Sequence, residues 1–121
     1  FKRSGGFLLG SGMSAGIDLP GALCRWNVVP KLHFQNLSNE VVQKRMALED
    51  GQTWYELEAL RHVMQATGRS TRNPNDWSVT VIMDPRFMKI YAKHYNTIPK
   101  WFNDAIIPER RSELDATRPG Y

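Results

Sequence analysis

The segment TWYELEALRHVMQATGRSTRNP, Thr53 to Pro74, carries the strongest helical pattern in the chain. Thr53 and Glu56, three residues apart, match a capping box and predict a helix that begins at about Trp54. The pair Asn73-Pro74 predicts that the helix ends at Arg72, because the residue before a proline avoids the helical region.

Three short apolar runs, at Gly6–Leu9, Leu23–Val29 and Ser78–Met83, are each bounded by Gly, Pro or Asp turns. This pattern predicts three buried strands. Helical patterns lie between and after them, which favours an α/β fold with a parallel sheet flanked by helices over an all-β fold.

Three further helices are predicted, at Asn39–Leu48, in a short stretch after Pro85, and from near Pro99. The last of these has apolar residues at i, i+3, i+4, i+7 and i+8, which is typical of a packing face. The residues of this stripe are Ile98, Trp101, Phe102, Ala105 and Ile106.

Length and composition narrow the classes of protein. A chain of 121 residues with 41% hydrophobic residues and four Trp is expected to form one globular domain. Its net charge of +4 permits a polyanionic partner without identifying one. The single Cys24 excludes an internal disulfide and favours a reduced, intracellular setting. No stretch approaches the roughly 20 apolar residues needed to span a membrane, so no membrane partner is expected.

One face of the long helix is cationic. Gln65, Gly68, Arg69 and Arg72 stand at i, i+3, i+4 and i+7, whereas Leu57, Leu60 and Met64 point towards the expected core. A glycine inside a helix costs about 1 kcal/mol, so close approach of a ligand is one reason for it. Two arginines one turn apart can bind phosphate oxygens. A solvated basic face, paired with acids elsewhere, is the alternative.

A glycine-rich loop follows the first predicted strand, in FLLGSGMSAGIDLPG, Phe7 to Gly21. Gly10, Gly12 and Gly16 are spaced one residue too widely for a dinucleotide fingerprint, and the chain contains no Gly-Lys pair of a P-loop. On its own the loop is equally well explained as a flexible connection.

Together the motifs resemble superfamily 2 helicases of the XPD/DinG type. Gln65-x-x-Gly68-Arg69-x-x-Arg72 resembles their motif VI, and GSGMSAGIDLPG resembles their motif V. MDPRF (83–87) and IPKWF (98–102) resemble two further segments of that family, in the same order. The resemblance implies that residues 1–107 are the C-terminal part of the second RecA-like lobe, and that residues 108–121 are a polar extension.

The resemblance also implies roles at an ATP site. Arg69 and Arg72 would contact the γ-phosphate as arginine fingers, Gln65 would orient neighbouring contacts, and Gly68 would let the helix approach the nucleotide. The P-loop and the Mg²⁺ ligands would lie on a first lobe outside this segment. An iron–sulfur cluster, where relatives have one, also belongs to that first lobe.

Motif V would join the ATP site to DNA. Gly16 and Asp18 would lie at the interface between the lobes, near the nucleotide, and Ser11 and Ser14 would contact a phosphate of single-stranded DNA. Family members often have an acid where this chain has Ala15, so any interaction of that acid is in doubt here.

The remaining polar and aromatic residues receive structural interpretations. Asp84 and Arg86 are expected to form a structural ion pair, and Cys24 to be a small buried residue. The three histidines lack close metal-ligand spacing and are interpreted as non-ligands: His33, His62 and His94. The four tryptophans are expected to pack in the core or between lobes rather than stack on bases: Trp26, Trp54, Trp77 and Trp101.

The favoured function is therefore that of a segment of an ATP-dependent DNA helicase, inactive without its first lobe. A non-catalytic lobe that binds nucleic acid or protein is the alternative. An unrelated α/β nucleotide-binding domain is disfavoured by the loop spacing. The helicase hypothesis implies a cytoplasmic, nucleoid-associated location in a prokaryote and a nuclear one in a eukaryote.

Overall fold

A computed structural model describes residues 24–68 and 75–107 of the chain. In chain order the elements are β1 (Trp26–Val29), α1 (Glu40–Met46), α2 (Gly51–Thr67), β2 (Val79–Ile82), α3 (Arg86–Lys93), a 3-10 helix (Tyr95–Thr97) and α4 (Lys100–Ala105). The prediction of an α/β fold is confirmed for this part of the chain. Among these residues, no helix is long and apolar enough to cross a membrane.

The two strands pair in parallel. Trp26 lies opposite Val79 and Val29 opposite Ile82, so the register is continuous over the four pairs. Both strands fall inside the predicted runs, and the crossover between them contains α1 and α2. The third predicted strand, Gly6–Leu9, lies outside the described residues.

The prediction that these strands are buried is wrong. Exposure alternates along both, so that one face of the sheet is half-buried and the other is open to solvent. On the inner face, Asn27 Nδ2 donates a hydrogen bond to the Ala66 carbonyl oxygen of α2 at 3.2 Å. The outer face consists of Trp26, Val28, Val79 and Val81, and Trp26 is 69% exposed. A parallel sheet is usually covered on both faces, and the described residues cover only one.

Helix α1 follows its prediction closely. Asn39 is the N-cap, and its Oδ1 accepts hydrogen bonds from the backbone N–H groups of Val41 and Val42. An asparagine side chain stabilises a helix start in this way because the first backbone N–H groups have no partner in the helix. The helix ends at Met46, two residues before the predicted end.

Helix α2 begins three residues earlier than predicted, and the prediction of a capping box at its start is wrong. The N-cap is Asp50, which makes no side-chain capping bond, so Thr53 and Glu56 lie inside the helix. Only a glycine fits at position 51, because any Cβ there would overlap the Met46 carbonyl oxygen. The tight turn between α1 and α2 therefore sets this boundary, and Arg45 and Asp50 form an ion pair across the turn at 2.5 Å.

The C-terminal end of α2 also differs from the prediction. The helix ends at Thr67, and Gly68 is its C-cap, with φ −74° in the right-handed region. Arg69, Arg72 and the predicted stop at Asn73-Pro74 lie outside the described residues.

The core lies between α2 and the C-terminal helices. Leu60 and Val63 of α2 are buried against Phe87, Ile90 and Tyr91 of α3. The buried cluster is completed by residues from the loop after β1 and from around α4, namely Leu32, Ile98 and Phe102. Leu57 and Met64 pack at its edge, which confirms the predicted core-facing side of α2.

Helices α3 and α4 lie where the sequence predicts them, after Pro85 and after Pro99. The apolar stripe around α4 is only partly confirmed. Ile98 and Phe102 are buried and Ile106 packs against the core, but Trp101 and Ala105 are exposed. The short helix buries a single side chain of its own, Phe102, because it has fewer than two turns.

Candidate functional site

Two of the predicted site residues, Gln65 and Gly68, lie within the described chain, at the end of α2. Gln65 is exposed, on a different side of the helix from the buried Leu60 and Val63. The predicted core face of α2 is thus separate from the side that carries Gln65, and the cationic character of that side stays a prediction because Arg69 and Arg72 lie outside the described residues. The other predicted site residues lie outside the described residues: Arg69, Arg72, Gly16, Asp18, Ser11 and Ser14.

The prediction that Gly68 lies inside the helix is wrong. Gly68 is the C-cap, so the cost of an interior glycine does not apply to it. A Cβ at this position would lie 3.5 Å from the Met64 carbonyl oxygen, which is ordinary van der Waals contact. Among the described residues, nothing excludes a side chain here. Its role towards a nucleotide stays a prediction.

Asp84 follows β2 at the carboxyl end of the sheet and joins three parts of the fold. Its Oδ2 accepts a hydrogen bond from the Leu32 N–H at 2.9 Å, and its Oδ1 accepts one from the Arg86 N–H at 3.0 Å. Arg86 Nη2 lies 2.7 Å from Asp84 Oδ2. The hydrogen bond from the Arg86 side chain, followed by that from Leu32, holds the pKa of Asp84 well below its usual range. The predicted structural ion pair is confirmed.

Glu56 forms a second ionic cluster, which is partly buried and which the sequence analysis missed. Its Oε2 lies 2.6 Å from His94 Nε2 and 2.8 Å from Lys93 Nζ, both at the end of α3. Gln52 Nε2, one turn earlier in α2, donates to Oε1 at 2.9 Å. The Glu56 side chain is 12% exposed and that of His94 is 7% exposed. The cluster therefore joins the helix that precedes Arg69 to the helix that follows β2.

The charge of Glu56 is strongly favoured by these contacts. Burial acts to raise its pKa, but the hydrogen bonds from Lys93, Gln52 and His94 outweigh burial and lower the pKa to about 2. The sequence feature that could have revealed this cluster is the helical spacing of Glu56 with the apolar residues Ala59, Leu60 and Val63. A charged residue on that apolar stripe needs a partner, but the sequence does not say which one.

We expect acid to destabilise the chain partly through Glu56. Its pKa is lower in the folded chain than its ordinary value of 4.5, so its contribution is fully present above pH 4.5 and is lost as the pH falls towards 2. Urea unfolding of the purified chain at a series of pH values from 6 to 2 measures this loss. Glu56→Gln should show a smaller decrease than the wild type over that range. Parallel pH curves for the two proteins would contradict the assignment.

The tryptophans are mostly not part of the core. Trp26, Trp77 and Trp101 are more than half exposed. The prediction was packing in the core or between lobes, and for these three residues packing in the core is excluded within the described part of the chain. Two tryptophans carry a guanidinium group over the ring: Arg25 over Trp77 at 4.8 Å and Arg45 over Trp54 at 5.2 Å. Packing between lobes stays a prediction for them.

Cys24 is predicted to be buried, and the three histidines are predicted not to bind a metal. Cys24 is half-buried rather than buried. His33 and His62 meet edge to face, with ring centroids 4.7 Å apart. Burial, followed by the neighbouring His33, lowers the pKa of His62. Within 24–68 and 75–107, no group of three or more His, Cys, Asp or Glu residues is arranged to hold a metal ion.

Comparison with known proteins gives a match to one family model, described as the helicase C-terminal domain, over residues 1–105. The chain is 30% identical over 121 residues to the ATP-dependent DNA helicase CHL1 of Meyerozyma guilliermondii, covering 87% of this chain and 14% of that protein. It is 32% identical to the regulator of telomere elongation helicase 1 homolog of Caenorhabditis elegans, covering 85% of this chain and 11% of that protein.

A third relative is the Fanconi anemia group J protein homolog of Gallus gallus, 26% identical over 78% of this chain and 8% of that protein. The chain thus spans between 8% and 14% of the length of these three relatives. No solved structure matches the chain.

Proposed function

The chain belongs to the family of helicase C-terminal domains, and from this premise we propose that it completes the ATP site of a DNA helicase. The family match confirms the resemblance to the second RecA-like lobe of XPD/DinG-type helicases. The observation that carries the proposal is the match over residues 1–105, because it contains both the motif V loop and Gln65-x-x-Gly68-Arg69-x-x-Arg72.

In this proposal Arg69 and Arg72 act on ATP that is bound, with Mg²⁺, to a first lobe. Their guanidinium groups stabilise the charge that develops on the transferring phosphoryl oxygens. Gln65 orients neighbouring contacts, and Gly68 lies where the end of α2 approaches the nucleotide. The exposed position of Gln65 at the end of α2 supports this arrangement, since a residue that meets another lobe must lie on the surface.

The motif V loop is proposed to couple ATP hydrolysis to the binding of single-stranded DNA. Gly16 and Asp18 lie at the interface between lobes, and Ser11 and Ser14 contact phosphates of single-stranded DNA. Such contacts fix the position of the strand without reading its sequence, which suits a protein that moves along DNA. The net charge of +4 supports binding to a polyanion.

The outer face of the sheet is exposed, which supports the proposal that this chain is only part of a lobe and that other parts of the lobe cover this face. Trp26, Val28, Val79 and Val81 form an apolar surface, and parallel sheets rarely leave such a face in water. The same face gives some support to the alternative function, a non-catalytic module that binds a partner protein.

The proposal predicts that the purified 121-residue chain has no ATPase activity, whereas a full-length protein that contains it hydrolyses ATP when single-stranded DNA is added. The reason is that the arginine fingers act only on ATP held by a first lobe. Phosphate release, measured for both proteins with and without single-stranded DNA, provides the test. Helicase-like turnover by the isolated chain would overturn the proposal. DNA binding without turnover by the full-length protein would favour the non-catalytic module.

A further inference from the structure

Glu56 occupies a position that α2 otherwise fills with apolar side chains. Residues 56, 59, 60 and 63 follow the spacing of one helical face, and Ala59, Leu60 and Val63 are almost fully buried. A carboxylate at such a position costs free energy unless its charge is stabilised by partners. An apolar residue there would extend the core without that cost, so the helix gains something other than burial from Glu56.

Among the described residues, the partners of Glu56 from outside α2 come from a single place, the end of α3. Lys93 is the last residue of α3, and His94 is its C-cap, whose N–H bonds to the Ile90 carbonyl oxygen. This bond holds the His94 backbone at the end of α3, and the Nε2 atom of its ring lies 2.6 Å from the Glu56 carboxylate. Lys93 adds a second contact at 2.8 Å, so two bonds from one helix end converge on one carboxylate.

The Glu56 cluster adds directional hydrogen bonds to the contact between α2 and α3, which otherwise consists of non-directional apolar packing. Leu60 and Val63 pack against Phe87, Ile90 and Tyr91, and such apolar contacts tolerate small rotations and shifts of one helix along another. Hydrogen bonds weaken steeply when their angle departs from linearity. The bonds to Glu56 therefore depend more sharply on the rotation and the axial position of α2 relative to α3 than the apolar contacts do.

We propose that Glu56, held by Lys93 and His94, is a positioning residue for the arginine fingers. It fixes α2 relative to α3, and with it the point at which the chain leaves α2 towards Arg69 and Arg72. Gln65 lies nine residues after Glu56, about 14 Å along a helix, and a helix transmits a rotation over that length. This inference rests on the proposed function. In phosphoryl transfer a displacement of about 1 Å can cost on the order of 100-fold in rate.

The test uses the full-length protein and compares Glu56→Ala, Glu56→Gln and His94→Ala. We expect Glu56→Ala and His94→Ala each to lower kcat per folded molecule by roughly tenfold, with the KM for ATP changed less than twofold. Glu56→Gln should be intermediate, because its amide oxygen still accepts a bond from Lys93. The double variant that combines Glu56→Ala with His94→Ala should lose about as much kcat as either single variant, because both substitutions remove the same link.

The matched control is Glu40→Ala on α1, which also removes a glutamate side chain, here from an exposed ion pair. In that pair Lys44 Nζ lies 2.7 Å from Glu40 Oε1. We expect its kcat to equal that of the wild type. A lower melting temperature for Glu56→Ala with unchanged kcat per folded molecule would overturn the inference, since the cluster would then serve stability alone. Additive losses for Glu56→Ala and His94→Ala would overturn it as well.

Arg72→Ala, measured in the same assay, separates the inference from the proposed function. If Arg72→Ala abolishes turnover and Glu56→Ala does not change it, only the positioning role is wrong. If Arg72→Ala leaves turnover unchanged, the proposed function is wrong and the positioning role falls with it.

Discussion

Replacing Arg72 with alanine in the full-length protein is expected to lower ATP turnover by about 10³-fold or more, while single-stranded DNA is still bound with nearly wild-type affinity. The reason is that an arginine finger contributes mainly in the transition state, where charge develops on the phosphoryl oxygens. Steady-state phosphate release gives kcat, and fluorescence anisotropy with labelled single-stranded DNA gives the affinity.

Arg61→Ala provides the matched control for Arg72→Ala. Arg61 is an exposed arginine of α2 whose Nη1 lies 2.8 Å from Glu58 Oε1 on the same helix. Removal of such a surface pair should change turnover less than twofold. Equal losses of turnover and DNA affinity in Arg72→Ala would point to a structural role for Arg72 and contradict its assignment as a finger.

The second large effect concerns stability. Leu60→Ala is expected to lower the free energy of unfolding of the chain by about 3 kcal/mol, because it leaves a cavity in the cluster that joins α2 to α3. Leu60 is 1% exposed, so no solvent can fill the space cheaply. The total free energy of unfolding of a domain of this size is only about 5–15 kcal/mol, so this loss is a large share of its stability. Urea unfolding followed by circular dichroism measures it.

Val41→Ala on α1 is the control for the stability measurement, since Val41 is 74% exposed. We expect it to change the free energy of unfolding by less than about 0.5 kcal/mol. If Leu60→Ala were as mild as Val41→Ala, the packing of α2 against α3 would not hold the described fold together.

The elements that sequence predicted well are those with local causes. Asn39 marks the start of α1 because its own side chain bonds to the N–H groups that follow. Pro85 and Pro99 come directly before α3 and α4, where a proline can begin a helix but not continue one. The spacing of Leu57, Leu60 and Met64 likewise predicted the core side of α2 without knowledge of what packs there.

The predictions that failed depended on contacts outside the segment on which each was based. Thr53 and Glu56 have the spacing of a capping box, but the turn from Met46 to Gly51 starts α2 earlier, and Glu56 bonds to α3 instead. The strands have the composition of buried strands, but only one face is covered within the described residues. A local sequence pattern is compatible with more than one structure of a segment, and the contacts with neighbouring segments determine which of these structures forms.

The sequence by itself determined the α/β class, the order of the described helices and strands, and the family, because periodicity, caps and motif spacing are all local properties of the chain. Only the tertiary structure decided the bounds of α2, the exposed face of Trp26 and Val28, and the partners of Glu56. The physical reason is that burial and ion pairing depend on which segments meet. Lys93 and His94 reach Glu56 across 37 and 38 residues of chain, a separation over which no sequence period carries information.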